Sequence, residues 1–182
     1  RADGPLRAVL DCEFIDWYTG PGVKKAKEEG PGLQRRFDLY ARFSIIAGQK
    51  WGDVQLLLKP VDHGPMPEIV TGVIKQEGTQ HVLSKEHGIL GRWGRQALGD
   101  HEVPKSGDLG LGVIVNPMDV VTYGEDEYNN YIRLKTTDGK VGYRYLSSWY
   151  KEPGGARSTQ DYEALLRAAA RLKPEVKVQT AD

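Results

Sequence analysis

The chain has 182 residues, of which 25 are basic and 25 acidic, so its formal net charge is zero. This balance argues against a nucleic-acid partner, because binding through bulk electrostatics needs clustered positive charge. The one cysteine, Cys12, excludes an internal disulfide and a cysteine-based zinc site. No apolar run of about 18 residues occurs, so we expect no membrane insertion. The length supports one domain over residues 1–182.

Two early segments alternate apolar and polar residues. In residues 6–14 the apolar side chains share one face and Arg7 lies on the other, and residues 33–46 repeat this pattern over a greater length. A period of two is typical of a half-buried β-strand. Residues 20–32 combine Gly-Pro-Gly turns with a charged run, which predicts an exposed hairpin loop between the two strands.

Shorter apolar segments predict further strands over residues 54–58, 69–74, 88–93, 109–115, 131–135 and 141–149. The pair Asp138-Gly139 lies between the last two of these segments. Because such a pair accepts the positive φ angles of a type I′ turn, we expect the last two strands to form a β-hairpin.

One helix is predicted near the end of the chain. Apolar side chains recur at helical spacing over residues 158–172, and Ser158 followed by Asp161 is typical of an N-terminal cap. Pro174 ends the helix, and a short strand over residues 176–179 is predicted to follow. Together these elements predict an all-β, mainly antiparallel sandwich of about nine or ten strands with one C-terminal helix, because two packed layers bury one face of each sheet.

The histidines are candidates for metal ligation or for acid–base chemistry: His63, His81, His87 and His101. His81 and His87 would approach Glu77 and Glu86 if residues 79–88 fold back on themselves. A metal site needs several imidazoles or carboxylates at about 2 Å from one ion, and this spacing matches no rigid metal motif. The sequence therefore favours exposed loop histidines, with a metal-dependent enzyme that uses His81 and His87 as an alternative.

Aromatic and guanidinium groups point to another chemistry. Arg92, Trp93 and Gln96 are close in sequence, and Tyr145 and Trp149 share one face of the last predicted strand. Saccharides stack their C–H faces on aromatic rings, and their hydroxyls and carboxylates bind arginine, glutamine and lysine. The same aromatic face would equally suit packing against the second sheet. No Gly-x-Ser-x-Gly turn and no phosphate-binding glycine loop occurs, which disfavours hydrolases of that type and nucleotide enzymes.

Several short motifs occur in a characteristic order: Gly4-Pro5-Leu6-Arg7-Ala8-Val9, Thr71-Gly72-Val73-Ile74-Lys75, Gly91-Arg92-Trp93-Gly94-Arg95-Gln96, Leu109-Gly110-Leu111-Gly112-Val113-Ile114-Val115 and Trp149-Tyr150-Lys151-Glu152. The ordered set resembles the C-terminal half of the bacterial carbohydrate-locus family of unknown function numbered 4861. The resemblance covers nearly the whole chain.

This resemblance implies a super-sandwich of the galactose-mutarotase kind in a secreted or periplasmic protein that acts beside polysaccharide-degrading enzymes. It also implies saccharide contacts at five positions: Arg7, Lys75, Trp93, Gln96 and Trp149. The family's His-, Asp- and Glu-rich motif, Tyr-His-x-Asp-His-Gly-Glu-Gly, is absent here. The chain begins with Arg1 instead of Met, so we expect a processed chain or a part of a longer protein. An N-terminal half or a second copy of the chain would then complete an open sheet edge.

The sequence supports two main hypotheses about function. The first is a carbohydrate-active protein that binds an acidic oligosaccharide and processes it as a lyase, hydrolase or epimerase. In that case His81 or Tyr145 is the base, and Arg92 or Arg7 neutralises the substrate carboxylate. The second is a non-catalytic carbohydrate-binding sandwich. The sequence leaves the cofactor, the sugar and the linkage open, and Arg7 would alternatively pair with Asp11 or Glu13.

Overall fold

The computed structural model describes residues 2–3, 6–19, 35–61, 66–95 and 107–172. The strands in these ranges are β1 (Ala2–Asp3), β2 (Arg7–Thr19), β3 (Arg35–Ile46), β4 (Trp51–Pro60), β5 (Ile69–Ile74), β6 (Thr79–Ser84), β7 (Ile89–Arg95), β8 (Asp108–Val115), β9 (Val120–Glu125), β10 (Asn129–Leu134) and β11 (Lys140–Trp149). One α-helix, α1 (Thr159–Ala170), follows them. Within these ranges no helix has the length and apolar character that crossing a membrane requires.

The strands form two antiparallel sheets. The larger sheet has eight strands in the order β1-β2-β3-β4-β11-β8-β7-β6, and the smaller has three in the order β5-β10-β9. The smaller sheet packs on one face of β7 and β8, and α1 packs on the other face of β6, β7 and β8. The prediction of a mainly antiparallel all-β sandwich with a C-terminal helix is confirmed.

Each face of the large sheet contributes to a separate hydrophobic core, because successive side chains of a strand point to opposite faces. The core between the two sheets includes Phe37, Leu39, Val54, Leu58, Leu90, Val113, Ile132, Leu134 and Val141. The core beneath α1 includes Val82, Ile89, Trp93, Ile114, Leu146, Tyr162 and Leu166. The alternation in β8 shows this division, since Val113 lies in the first core and Ile114 in the second.

Two glycines of β8 allow α1 to lie close to the sheet. A Cβ atom at Gly110 would lie 2.2 Å from the Tyr162 ring, and one at Gly112 would lie 2.7 Å from Leu166. At the start of the helix, the hydroxyl of Ser158 accepts a hydrogen bond from the Asp161 amide at 3.1 Å, as its sequence predicts. The small residues of the Leu-Gly-Leu-Gly motif therefore set the distance between sheet and helix.

The prediction of a β-hairpin around Asp138-Gly139 is wrong, although the predicted turn forms. Both turn residues have positive φ angles, +50° and +73°, and the amide of Lys140 donates to the carbonyl of Thr137 at 2.9 Å. Beyond this turn the strands separate, because β10 pairs with β5 and β9 while β11 pairs with β4 and β8. Ile132 and Val141 both contribute to the core between the sheets, so the chain crosses from one layer to the other at this turn.

Residues 79–88 contain a β-strand that the sequence did not predict. They form β6 and the turn into β7, and the sequence interpretation missed both β6 and β9. In β6 the buried hydrophobic side chain is Val82, so the strand carries little apolar signal. The predicted loop over residues 20–32 and the predicted strand over residues 176–179 lie outside the described residues.

Candidate functional site

A cluster of polar side chains lies where the end of the smaller sheet covers β6 and β7. His81 on β6 is directly opposite Arg92 on β7. Opposed side chains in an antiparallel pair have Cβ atoms about 5 Å apart. Arg92 faces the smaller sheet, because its guanidinium contacts Asn130 on β10. The two residues that the sequence assigned to acid–base and carboxylate-binding roles are therefore neighbours.

The guanidinium of half-buried Arg92 is bound by uncharged oxygens. Its Nε donates to Thr79 Oγ1 at 2.7 Å, its Nη2 donates to the Thr79 carbonyl at 3.0 Å, and its Nη1 donates to Asn130 Oδ1 at 2.7 Å. An arginine has five N–H donors, so two of them are not used by the described residues. Within the same ranges no carboxylate forms a salt bridge with Arg92. Among the residues that the structure describes, the guanidinium of Arg92 is therefore held by neutral oxygens and has no carboxylate partner.

The carboxylate of Glu125 at the end of β9 lies one amide away from Arg92. Asn130 is only 4% exposed, and its Nδ2 donates to Glu125 Oε2 at 3.2 Å. Lys75 Nζ contacts the same Glu125 oxygen at 3.2 Å and donates to the carbonyl of Asp126 at 2.6 Å. Lys75 therefore balances the negative charge of Glu125, so Glu125 does not neutralise the positive charge of Arg92.

The environment of His81 favours its neutral form. Burial lowers the pKa of the His81 imidazole, and the positive charge of Arg92 lowers it further, while Glu125 acts in the opposite direction. A neutral imidazole has one ring nitrogen free to accept a proton. The environment therefore favours the form of His81 that a general base requires.

An aromatic surface lies on the same face of the large sheet. Arg92 is in register with Leu111 on β8, which is in register with Ser147 on β11. Because adjacent strands are about 4.8 Å apart, Arg92 and Ser147 are separated by roughly 10 Å across the sheet. Tyr145 and Trp149 flank Ser147 on this face and are 39% and 40% exposed.

The rings of this aromatic surface are held by their neighbours. A Cβ atom at Gly52 would lie 2.3 Å from the Tyr145 hydroxyl, so the tyrosine lies against the backbone of β4. Lys151 Nζ lies 5.8 Å from the centroid of Trp149. Tyr145 thus packs on β4, and both rings keep exposed surface on which a saccharide could stack.

The remaining residues that the sequence suggested lie elsewhere. Trp93 is 3% exposed and stacks on Tyr162 beneath α1, so its side chain is not part of this cluster. Arg7 is at the start of β2, where it is in register with Ile46. Asp11 pairs with Arg42 on β3 through two hydrogen bonds, and among the described residues no ion pair joins Arg7 to Asp11 or Glu13. Gln96, His63 and His101 lie outside the described residues.

His87 does not join His81. It lies in the turn after β6, where its Nδ1 is 3.0 Å from Ser84 Oγ and 3.4 Å from Arg167 on α1. His81 instead faces the smaller sheet, because it is paired with Arg92. Among the residues that the structure describes, no three His, Cys, Asp or Glu side chains are close enough to hold a metal ion.

The sequence interpretation missed Thr79, Glu125 and Asn130. For Asn130 a signal was present, because the alternation in β10 places it on the same face as the buried residues Ile132 and Leu134. A polar residue on the buried face of a strand needs a hydrogen-bonding partner and therefore indicates a polar contact in the core. Glu125 gave no such signal, since β9 itself was not predicted.

Comparison with known proteins identifies the family but not an activity. Searches of curated proteins and of solved structures found no match. A family model described as a domain of unknown function, DUF4861, matches residues 1–178. The match extends over almost the entire sequence, so the chain belongs to the DUF4861 family.

Proposed function

We propose that this chain is a carbohydrate-active protein that binds an acidic oligosaccharide and removes the proton on the carbon next to its carboxylate. One observation carries the proposal: Arg92 is half-buried, is bound by three uncharged oxygens and has two N–H donors that no described residue uses. A fixed guanidinium without a counter-ion is suited to a carboxylate, which accepts two parallel hydrogen bonds from it.

His81 is the proposed base. It stands opposite Arg92, and its lowered pKa keeps the imidazole neutral near pH 7. A carboxylate bound to Arg92 places its neighbouring carbon close to His81. Neutralisation of the carboxylate by Arg92, with Lys75 nearby, stabilises the negative charge that develops when the proton leaves.

The proposed step is common to a lyase and an epimerase. The C5–H bond of a uronate breaks, the proton moves to His81, and the electron pair is delocalised into the carboxylate. In a lyase, this pair then forms the C4–C5 double bond while the C4–O bond breaks, and the leaving oxygen takes a proton from solvent water. In an epimerase, C5 takes a proton from solvent water on its other face. In both cases the proton on His81 is then released to solvent.

A hydrolase fits this cluster less well. Glycosidases use two carboxyl groups on either side of the scissile bond. As far as the chain is described, the cluster contributes the carboxylate of Glu125, which is bound by Lys75 and Asn130. We therefore favour elimination or epimerisation over hydrolysis.

The aromatic surface would bind the rest of the oligosaccharide. Tyr145 and Trp149 expose their rings on the same face as Arg92, and Ser147 between them exposes a hydroxyl. A separation of roughly 10 Å across two strand intervals is enough for more than one sugar ring. We propose that the protein acts in the periplasm or outside the cell, in the degradation of plant or algal polysaccharides.

The test uses polysaccharides and oligosaccharides that contain uronates. Elimination is measured by the ultraviolet absorbance of the unsaturated product, and epimerisation by uptake of solvent deuterium at C5. We expect His81→Gln to abolish both signals without loss of binding, and Arg92→Gln to weaken binding. His87→Gln is the control. Full turnover by His81→Gln, or equal binding of acidic and neutral sugars, would contradict the proposal.

A second candidate, a non-catalytic binding module, is favoured by one observation. A lyase also needs a group that protonates the leaving oxygen, and in the described cluster the other charged groups already have partners: Glu125 is bound by Lys75 and Asn130. This candidate predicts binding that depends on Trp149 and Arg92, with no product from any acidic saccharide. Product formation by the wild-type chain would reject it.

A further inference from the structure

The side-chain amide of Asn130 lies between a positive and a negative charge. Its Oδ1 accepts from Arg92 Nη1 at 2.7 Å, and its Nδ2 donates to Glu125 Oε2 at 3.2 Å. The side chain is buried at 4% exposure, whereas that of Glu125 is 68% exposed. A single amide thus separates a guanidinium from a carboxylate within this polar cluster.

We propose that Asn130 determines the charge selectivity of the site, because it keeps Glu125 away from Arg92 and thereby reserves Arg92 for a carboxylate of the ligand. The inference rests on the proposed function for the identity of the ligand. The separation of the two charges is a property of the ligand-free protein and is tested independently.

The argument begins with what Glu125 would otherwise do. A direct guanidinium–carboxylate pair is bidentate and stronger than hydrogen bonds between neutral groups. The exposed side chain of Glu125 has the freedom to form it. Asn130 and Lys75 both bind the Oε2 atom of Glu125, and Asn130 occupies a donor of Arg92. Both contacts oppose the direct pair, which would cancel the charge that an acidic ligand needs.

A role in selectivity and a role in packing lead to different expectations for Asn130→Asp. Aspartate has nearly the same shape and still accepts from Arg92, with an added charge that strengthens this contact. If the neutrality of the Asn130 side chain is irrelevant to ligand binding, the variant keeps its fold and its ligand. If Asn130 preserves the charge of Arg92, the variant keeps its fold and loses the anionic ligand.

The experiment compares the wild-type chain, Asn130→Asp and the control Gln160→Glu, which adds the same charge at an exposed position of α1. The pKa of His81 is measured by NMR without ligand, and D-glucuronate and D-glucose are then titrated into each protein. We expect Asn130→Asp to raise the pKa of His81, because the new carboxylate offsets Arg92. We also expect it to reduce glucuronate affinity by at least about tenfold, since like charges repel. Gln160→Glu should change neither quantity.

An unchanged His81 pKa in a folded Asn130→Asp protein would overturn the inference, as would undiminished glucuronate binding by that variant. A higher His81 pKa in Asn130→Asp, together with no glucuronate binding by the wild-type chain, would separate the two proposals. It would support the neutral side chain of Asn130 as the reason why Arg92 keeps its charge, and it would contradict the acidic sugar as ligand.

Discussion

Trp93 on β7 and Tyr162 on α1 stack with their ring centroids 5.4 Å apart. Trp93 follows Arg92 in the chain, and the alternation of the strand places the two side chains on opposite faces of the sheet. The residue next to the candidate site thus belongs to the core that attaches the helix. This relationship separates the two tryptophans that the sequence suggested as sugar contacts.

Substitution of the two tryptophans should have different effects. Trp93→Ala removes a buried ring and leaves a cavity beneath α1, so we expect the free energy of unfolding to fall by roughly 3 to 5 kcal/mol. Trp149→Ala should change it by less than about 1 kcal/mol and weaken binding of the saccharide. Urea unfolding and saccharide titration measure these effects. Loss of binding in Trp93→Ala without loss of stability would contradict the assignment.

Arg144 connects the centre of β11 to the last turn of α1. Its Nη1 donates to the carbonyls of Ala169 and Leu172, and its Nε donates to Asp53 at 2.7 Å. Arg144 is 4% exposed, and Arg144→Met leaves the half-buried Asp53 and the two carbonyls without this partner. We expect a loss of about 3 kcal/mol in the free energy of unfolding, measured with urea.

The matched control for Arg144→Met is Arg133→Met. Arg133 pairs with Glu68 at 2.6 Å, but both side chains are exposed to solvent. Exposed pairs contribute less than about 1 kcal/mol, so this variant should be almost as stable as the wild-type chain. Equal destabilisation by the two substitutions would show that burial does not account for the role of Arg144.

Alanine substitutions at Gly139 and Gly48 separate the cost of a steric clash from the cost of a positive φ angle. Both have positive φ, +73° and +81°, but a Cβ atom at Gly139 would lie 2.3 Å from the Leu58 carbonyl, while Gly48 has open space. We expect Gly48→Ala to lower stability by about 1 kcal/mol and Gly139→Ala to lower it by at least about 2 kcal/mol more. Thermal and urea unfolding test this difference, and equal losses would argue against the close contact.

The pKa of His81 should respond in opposite directions to its two charged neighbours. Arg92 lowers it and Glu125 raises it. Arg92→Gln should therefore raise the pKa of His81, and Glu125→Gln should lower it further, as measured by NMR titration of the imidazole. A shift of the same sign in both variants would contradict the arrangement of the three groups.

The lowered pKa of His81 makes the free energy of unfolding depend on pH. The pKa of His81 lies below its ordinary value of 6.5, so the folded state binds fewer protons than the unfolded state between these two pKa values. Stability should fall as the pH drops from 6.5 through the lowered pKa and should have no His81 contribution above 6.5. In His81→Gln this part of the pH dependence should disappear from the urea midpoints.

Local patterns predicted much of the fold. The strand at residues 69–74 has the predicted bounds, and the helix begins after Ser158 as its cap indicates. Turn chemistry also predicted the φ angles at Asp138 and Gly139. It did not predict the partners of the adjoining strands, because pairing is decided by burial of Ile132 and Val141 between two sheets and not by the turn.

The candidate site was predictable only in part. The sequence suggested Lys75, His81 and Arg92, yet their proximity depends on Asn130 and Glu125, which are 38 and 33 residues beyond Arg92 in the chain. Contacts between distant residues follow from the packing of the smaller sheet on β7 and β8, which no local pattern contains. The exposure of Trp149 and the burial of Trp93 likewise depend on where α1 packs.

The crossing at Asp138-Gly139 has a consequence for the kinetics of ligand binding. Residues 135–139 link β10, which carries Asn130, to β11, which carries Ser147. A hydrogen bond anchors the turn, because the Leu58 amide donates to the Gly139 carbonyl at 2.8 Å. The two sheets are therefore covalently joined there by a short, hydrogen-bonded segment and cannot swing apart at that end. We expect association with an oligosaccharide to occur in one step, without a slow phase from domain closure.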